Sequence, residues 1–198
     1  AMGEKQKRTR EYGITPGVLP PGPRNDLTDI SGVRVGQVSR CTPDGACTGV
    51  TAIRPHGGNL FLERVPAGLS VANGHGKLAG ATQVQELGEL ETPIVLVNTL
   101  SVGRAVEAVV DWTLSQPGCE AVRSVNAFVA ETNDSPLNAI RQRGLSGEDV
   151  LEALEAASDS TVAQGSVGAG TGTMAFGLKG GIGSSSRLLP EAAGGWRV

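Results

Sequence analysis

The chain has 198 residues, of which 39% are hydrophobic and 19% charged, enough apolar side chains to form the core of one domain. Its net charge is −3 and no basic cluster follows residues 5–10, which argues against a nucleic-acid partner. No apolar run is long enough to cross a membrane, and the amino terminus lacks the apolar region of a secretory signal. We expect residues 1–24 to form a surface arm that begins with a cloning remnant, and residues 25–198 to form the fold.

Apolar patterns predict strands and helices that alternate along the chain. The predicted strands are 33–38, 49–54, 69–72, 94–97 and 126–130, and the predicted helices are 79–90, 102–114 and one that Ser146 caps, with Asp149 three residues later. The short loop between the first two strands favours an antiparallel pair. The run 94–97 is continuously apolar, so we expect it to be buried on both faces. A further strand begins at 195–198, which predicts that the remainder of the fold follows it.

The three cysteines, Cys41, Cys47 and Cys119, are not spaced as metal ligands. Cys41 and Cys47 could form a disulfide in an oxidising compartment. The odd number of cysteines and the missing signal favour free thiols instead, and therefore a cytoplasmic protein.

Residues 165–187 are rich in glycine but match neither common nucleotide-binding motif. Lys179 is followed by Gly180 rather than by Ser or Thr, so this is not a P-loop, and the glycines at 168–172 lack the dinucleotide-binding spacing. Met174, Phe176 and Leu178 recur at a spacing of two. This spacing favours short buried strands framed by tight turns over a flexible linker.

Few residues offer chemistry on their own. His56 and His75 lie in separate glycine turns, without the further ligands that a metal site needs, and no G-x-S-x-G motif supports a Ser-His-Asp triad. Glu131 directly follows a buried apolar run, where a carboxylate needs a partner. That partner could be an internal arginine or a cationic ligand. Asn98 and Thr99 end the run 94–97, where hydrogen bonds to a turn are favoured over direct catalysis.

Four long motifs, at residues 25–36, 91–103, 129–134 and 170–187, resemble the L-aminopeptidase/D-esterase family, which includes the β-peptidyl aminopeptidases. The resemblance implies an α/β fold, a four-layer αββα sandwich like that of N-terminal-nucleophile hydrolases, completed by a second chain. Family members cut their own precursor into an α and a β chain, and residues 25–198 correspond to most of the α chain. The nucleophile is then the first Ser of the β chain, so we expect no catalytic residue in this chain.

The resemblance also assigns the substrate contacts. Glu131 matches the carboxylate that holds the substrate's free amino group, and Asn133 stands where a Tyr is common. We predict that Glu131, Asn133 and Asn98 bind substrate, without metal or cofactor. The implied protein is an oligomer of αβ heterodimers that acts on small peptides, amides or esters.

The implied activity is that of an aminopeptidase, which releases N-terminal α- or β-amino acids through an acyl-enzyme. Two alternatives stay open. One is an acyltransferase of the ornithine acetyltransferase type, in which the nucleophile is typically Thr. The other is a non-catalytic binding module of the same fold.

Overall fold

The fold is built on a five-stranded mixed sheet, and the computed structural model describes residues 7–198. The strands are β1 (Arg34–Cys41), β2 (Cys47–Arg54), β3 (Val65–Pro66), β4 (Leu78–Ala79), β5 (Glu89–Leu90), β6 (Ile94–Asn98), β7 (Phe128–Thr132), β8 (Met174–Ala175) and β9 (Leu178–Lys179). The helices are α1 (Ala81–Leu87), α2 (Val102–Leu114) and α3 (Gly147–Glu155). The sheet has the order β1-β2-β6-β7-β4, and β3–β5 and β8–β9 form two small two-stranded antiparallel sheets.

Strands β1 and β2 form the predicted antiparallel pair, in register from Arg34 opposite Arg54 to Cys41 opposite Cys47. This register corrects the prediction for two of the cysteines. Cys41 and Cys47 face each other beside the turn, with their Cα atoms 4.2 Å apart, and they form a disulfide rather than two free thiols. Cys119 is a free, buried thiol. Pairing across strands, which no spacing of cysteines reveals, is the reason for the difference.

Helices α2 and α3 cover one face of the sheet. Val95, Val97 and Val129 point into this core and are fully buried, together with residues such as Val109 of α2 and Leu154 of α3. Both helices were predicted, and the expected cap of α3 is confirmed.

The cap of α3 is a reciprocal pair of hydrogen bonds. The Ser146 hydroxyl accepts from the Asp149 N–H, and the Asp149 carboxylate accepts from the Ser146 N–H at 2.7 Å. Such a capping box is specified by residues three apart in sequence, and this is why it could be predicted.

The opposite face of β6 and β7 is only partly covered. Leu96 lies beside Ala130 in the parallel pair, and both are half-exposed. Among the described residues, the prediction that 94–97 is buried on both faces was therefore wrong. Helices α2 and α3 cover one face, whereas on the other face a small cluster of Val84 of α1 and Phe128 leaves Leu96 half-exposed.

Two further predicted elements differ from the structure. Helix α1 is shorter than the predicted 79–90, because Gly80 and Gly88 adopt left-handed backbone conformations, with φ of 78° and 67°, and bracket it. The predicted strand 69–72 does not form in the described structure. Leu69 instead packs on a small cluster around Phe128.

The glycine-rich segment lies against strand β2. Its 3-10 turn, Gly168–Gly170, packs so close that a Cβ on Gly49 would lie 2.2 Å from the Gly168 carbonyl oxygen. The predicted turns are present, but the expected burial of Phe176 and Leu178 is wrong, because both side chains are exposed. Phe176 and Gly177 form the turn between β8 and β9, both with positive φ, and this turn leaves the Phe176 side chain fully exposed.

The motifs at residues 25–36 and 170–187 contact each other at two buried aspartates. Asp26 accepts a hydrogen bond of 2.7 Å from the Ser184 hydroxyl, and Asp29 accepts one of 2.6 Å from the Ser186 hydroxyl. Asp29 also accepts from the backbone N–H groups of Arg24 and Asp26. These serines therefore join the end of the glycine-rich segment to the start of the fold.

Near both ends, the arm and the last residues are anchored. In the arm, whose residues 1–6 lie outside the described range, the Arg8 guanidinium donates to the Ser184 carbonyl at 2.7 Å. The last residues pair with the chain just before them through a bridge between Leu188 and Arg197.

Among residues 7–198, none of the helices combines the length and apolar character needed to span a bilayer.

Asp29→Asn should reduce the stability of the fold and its sensitivity to acid. Burial acts to raise the pKa of Asp29, but the Ser186 hydroxyl, two backbone N–H groups and the Arg24 guanidinium lower it to about 2. Because the folded pKa is depressed, the stabilisation is present above the unfolded pKa and is lost as pH falls through the folded one. We expect a loss of about 2 kcal/mol at neutral pH and a flatter decline between about pH 4 and 2.

Urea unfolding of the complete gene product across this pH range measures both effects. Asp111→Asn, on an exposed aspartate of α2, is the matched control and should change neither. An Asp29→Asn curve parallel to that of the wild type would contradict the prediction.

Candidate active site

The parallel strands β6 and β7 bring their polar carboxyl ends to one edge of the sheet. Val97 lies opposite Glu131 and Asn98 opposite Thr132, so Thr99 follows at the same edge. Such edges are where open α/β sheets commonly bind ligands. This shared edge is the physical reason that side chains more than thirty residues apart in sequence converge here.

Strand β4 adds a third segment to this edge. It runs antiparallel to β7, with Leu78 opposite Ala130, and it therefore delivers Lys77 beside Glu131. Gly76 permits the approach, because a Cβ there would lie 3.0 Å from Glu131 Cγ.

Glu131 is the most buried charge of the edge, with its side chain 12% exposed. Its Oε1 accepts a hydrogen bond of 2.7 Å from the Thr99 hydroxyl. Its Oε2 is closed off from solvent, and the Lys77 ammonium lies 2.5 Å from it as an ion pair without the angles of a well-directed hydrogen bond. The Lys77 ammonium also donates to the Thr99 hydroxyl at 2.8 Å.

These neighbours keep Glu131 ionised. Burial, the largest influence, raises the pKa of Glu131, but contacts from the Lys77 ammonium and the Thr99 hydroxyl together outweigh it, so the pKa lies below its ordinary value. The site therefore presents a carboxylate that is already arranged to hold an ammonium group.

A cleft of about 470 Å³ opens in front of Glu131. Its lining comes from the three segments of the edge: Asn73, His75, Gly76, Lys77, Thr99, Glu131, Thr132 and Asn133. Another cleft, of about 520 Å³, lies between α2 and α3 and is bordered by exposed charged residues of these helices. The cleft at Glu131 is the one that combines a buried carboxylate with converging polar groups, which favours it as the binding site.

Two of the three predicted substrate-binding residues line this cleft. Besides Glu131, the exposed Asn133 lies on its rim, where its side-chain oxygen accepts a hydrogen bond of 3.0 Å from the Ser135 N–H. Asn98 does not line the cleft. It is buried, and its amide donates to the Thr48 hydroxyl at 2.9 Å. That these three residues bind substrate stays a prediction.

Asn98 belongs to a buried network that holds the loop after β7. The Thr48 hydroxyl in turn donates to Asp134 at 2.6 Å, and Asn138 donates to the other oxygen of Asp134 at 3.0 Å. The predicted preference of Asn98 for turn hydrogen bonds is confirmed, because its side-chain oxygen accepts from the Leu100 N–H.

The partner of Glu131 was not predicted from the sequence. The structure places Lys77 there rather than an internal arginine or a bound cationic ligand, and no periodicity in the sequence links residues 77 and 131. His56 is a turn residue as expected, accepting from the Gly58 N–H, whereas His75 borders the cleft. Within residues 7–198 no cluster of His, Cys, Asp or Glu could hold a metal ion.

Comparison with known proteins shows which family this chain belongs to and which proteins it resembles. Residues 25–198 match the model of peptidase family S58. The chain is 40% identical to a beta-peptidyl aminopeptidase of Sphingosinicella xenopeptidilytica, over 92% of the chain but 47% of that protein. Among solved structures, it resembles a Burkholderia sp. beta-aminopeptidase with a TM-score of 0.86 and 41% identity, covering 96% of this chain and 55% of that one.

A third similarity describes the type of fold. The l-aminopeptidase d-ala-esterase/amidase of Ochrobactrum anthropi, described as a variant of the ntn hydrolase fold, matches with a TM-score of 0.83 and 32% identity over 93% of this chain and 53% of that one. The fold of this chain is thus similar to about half of the fold of these solved aminopeptidases. The chain belongs to peptidase family S58. It spans about half the length of these relatives.

Proposed function

We propose that this chain is the α part of a serine aminopeptidase that releases N-terminal α- or β-amino acids from small peptides, amides or esters. The observation that carries the proposal is the buried Glu131 carboxylate, which already holds an ammonium group at the head of a cleft. A free N-terminus is the natural ligand of such a group. Membership of the S58 family supports the same reaction class.

The nucleophile is proposed to be the first Ser of a β chain cut from the same precursor. Its own amino group accepts the hydroxyl proton as the oxygen attacks the substrate carbonyl. An Asn side chain and backbone N–H groups stabilise the oxyanion. The leaving amine or alcohol takes up the proton, and water then hydrolyses the acyl-enzyme to restore the hydroxyl.

In this chain the proposed roles are binding and orientation. Glu131 holds the substrate ammonium and so places the adjacent carbonyl before the nucleophile. Asn133, on the rim, faces the substrate's side chain, and Asn98 supports the edge from behind.

The second chain would complete a four-layer αββα sandwich. The half-exposed face of β6 and β7, around Leu96 and Ala130, is where a second sheet could pack. This chain covers about half the length of its relatives, which also supports a partner chain from the same precursor. Heterodimers of this kind would assemble into the proposed oligomer.

The test is to express the complete gene product and to analyse it by intact mass, N-terminal sequencing and hydrolysis of β-alanyl and L-alanyl p-nitroanilides. We expect two polypeptides, the second beginning with Ser, and loss of both cleavage and hydrolysis when that Ser is replaced by Ala. A new N-terminal Thr with acetyl transfer would favour the acyltransferase. An uncut protein without turnover would favour a binding module, and either result would contradict the proposal.

A further inference from the structure

We propose that Lys77 is a resident counter-ion of Glu131, which the ammonium group of an incoming ligand must displace. Lys77 would then set how tightly the cleft binds free amines. This inference rests on the proposed function, because it assumes that Glu131 is the group that receives the ligand's amine.

The first support is that Lys77 already makes the contacts expected of a ligand amine. Its ammonium lies 2.5 Å from Glu131 Oε2 and donates to the Thr99 hydroxyl at 2.8 Å. A primary ammonium has three N–H donors and no acceptor, so a ligand amine would seek the same two oxygens. The lysine ammonium therefore occupies the place that the ligand amine needs.

The second support is the unequal burial of the two partners. The Glu131 side chain is 12% exposed, whereas that of Lys77 is 56% exposed. Glu131 is held in strand β7, and Lys77 lies at the end of the loop that precedes the short strand β4. The lysine can thus turn into water by rotation about its own side-chain bonds, while the carboxylate stays in place.

The third support is charge. The cleft lining carries one carboxylate, Glu131, and one ammonium, Lys77, with His75 as its other titratable side chain. A second ammonium placed beside Lys77 would share one carboxylate between two cations at short range, and this is unfavourable beside Glu131 Oε2, which is closed off from solvent. Exchange of one ammonium for the other keeps the charges balanced.

The experiment measures binding of n-propylammonium, a probe that cannot react, to the complete gene product by titration calorimetry at neutral pH. Lys77→Met removes the competing charge and keeps much of the side chain's length. We expect binding about three- to ten-fold tighter than in the wild type, the range of a partly exposed ion pair. Lys77→Arg retains the competing charge and should bind about as the wild type does.

Lys7→Met, at an exposed lysine of the arm, is the matched control and should leave binding unchanged. Unchanged or weaker binding by Lys77→Met would overturn the proposal. Unchanged binding would mean that Lys77 does not affect the ligand, and weaker binding would mean that Lys77 contacts the ligand favourably. In case that variant does not fold, the wild type itself can be labelled with ¹³C-lysine. Saturation with n-propylammonium should move the Lys77 Cε signal towards that of a free lysine, and no movement would contradict the proposal.

The outcome is separable from that of the proposed function. If Lys77→Met binds the probe no better, but the protein still hydrolyses free-amine substrates in preference to N-acetylated ones, only the role of Lys77 fails. If neither protein binds the probe and no such preference exists, the role of Glu131 fails as well.

Discussion

Glu131→Gln should lower kcat/KM for substrates with a free amino terminus by about ten- to a hundred-fold. The substitution keeps the shape of the side chain and removes its charge. The ligand ammonium then loses a charge-assisted contact to a buried group, of the kind that contributes about 1.5–3 kcal/mol. N-acetylated substrates make no such contact, so their slow turnover should change little, and the selectivity for free amines should fall by the same factor.

Assays of one peptide amide, with its N-terminus free or acetylated, measure this selectivity. Glu107→Gln, on the exposed side of α2, is the matched control and should retain the wild-type ratio. Self-cleavage needs no substrate amine and should survive in both variants. An unchanged ratio in Glu131→Gln would identify Glu131 as a structural partner of Lys77 and not as the recognition group.

Gly49→Ala should destabilise the fold strongly. A Cβ at this position would lie 2.2 Å from the Gly168 carbonyl oxygen and 2.4 Å from that of Val38. Both obstacles are backbone atoms, one in the glycine-rich segment and one in strand β1, so neither can rotate away. We expect a loss of about 3 kcal/mol and a clearly lower Tm.

Thermal unfolding of the complete gene product, followed by circular dichroism, tests this expectation. Gly103→Ala is the matched control, because Gly103 lies on the exposed side of α2 and a Cβ there meets no atom within 4 Å. In a helix the same substitution should stabilise, by about 0.5–1 kcal/mol. Equal melting curves for Gly49→Ala and the wild type would show that the segment does not pack on β2 in this way.

Elements specified by neighbouring residues were predictable from the sequence. The helix predicted at 102–114 and the capping box of Ser146 and Asp149 depend on spacings of three and four residues, and the structure confirms both. The antiparallel pair β1–β2 was predictable for the same reason, since a short loop leaves its strands few other ways to pair.

Three features that hydrophobic patterns do not reveal were predicted wrongly. The Cys41–Cys47 disulfide follows from strand register, and the exposure of Phe176 from a turn at the tip of a hairpin. The half-exposed face at Leu96 depends on which helices reach it. Periodicity reports that a residue is apolar, but not whether another segment will cover it.

The candidate site shows the same division. From the sequence alone, Glu131 lies at the end of a buried apolar run, where a carboxylate must have a partner. The family motifs identified it as the candidate group that recognises the substrate's free amine. Only the tertiary structure decided what that partner is. Pairing of β4 with β7, with Leu78 opposite Ala130, places Lys77 beside Glu131, although the two lie far apart in sequence. A buried charge requires compensation wherever it lies, whereas the residue that supplies it depends on how the strands align.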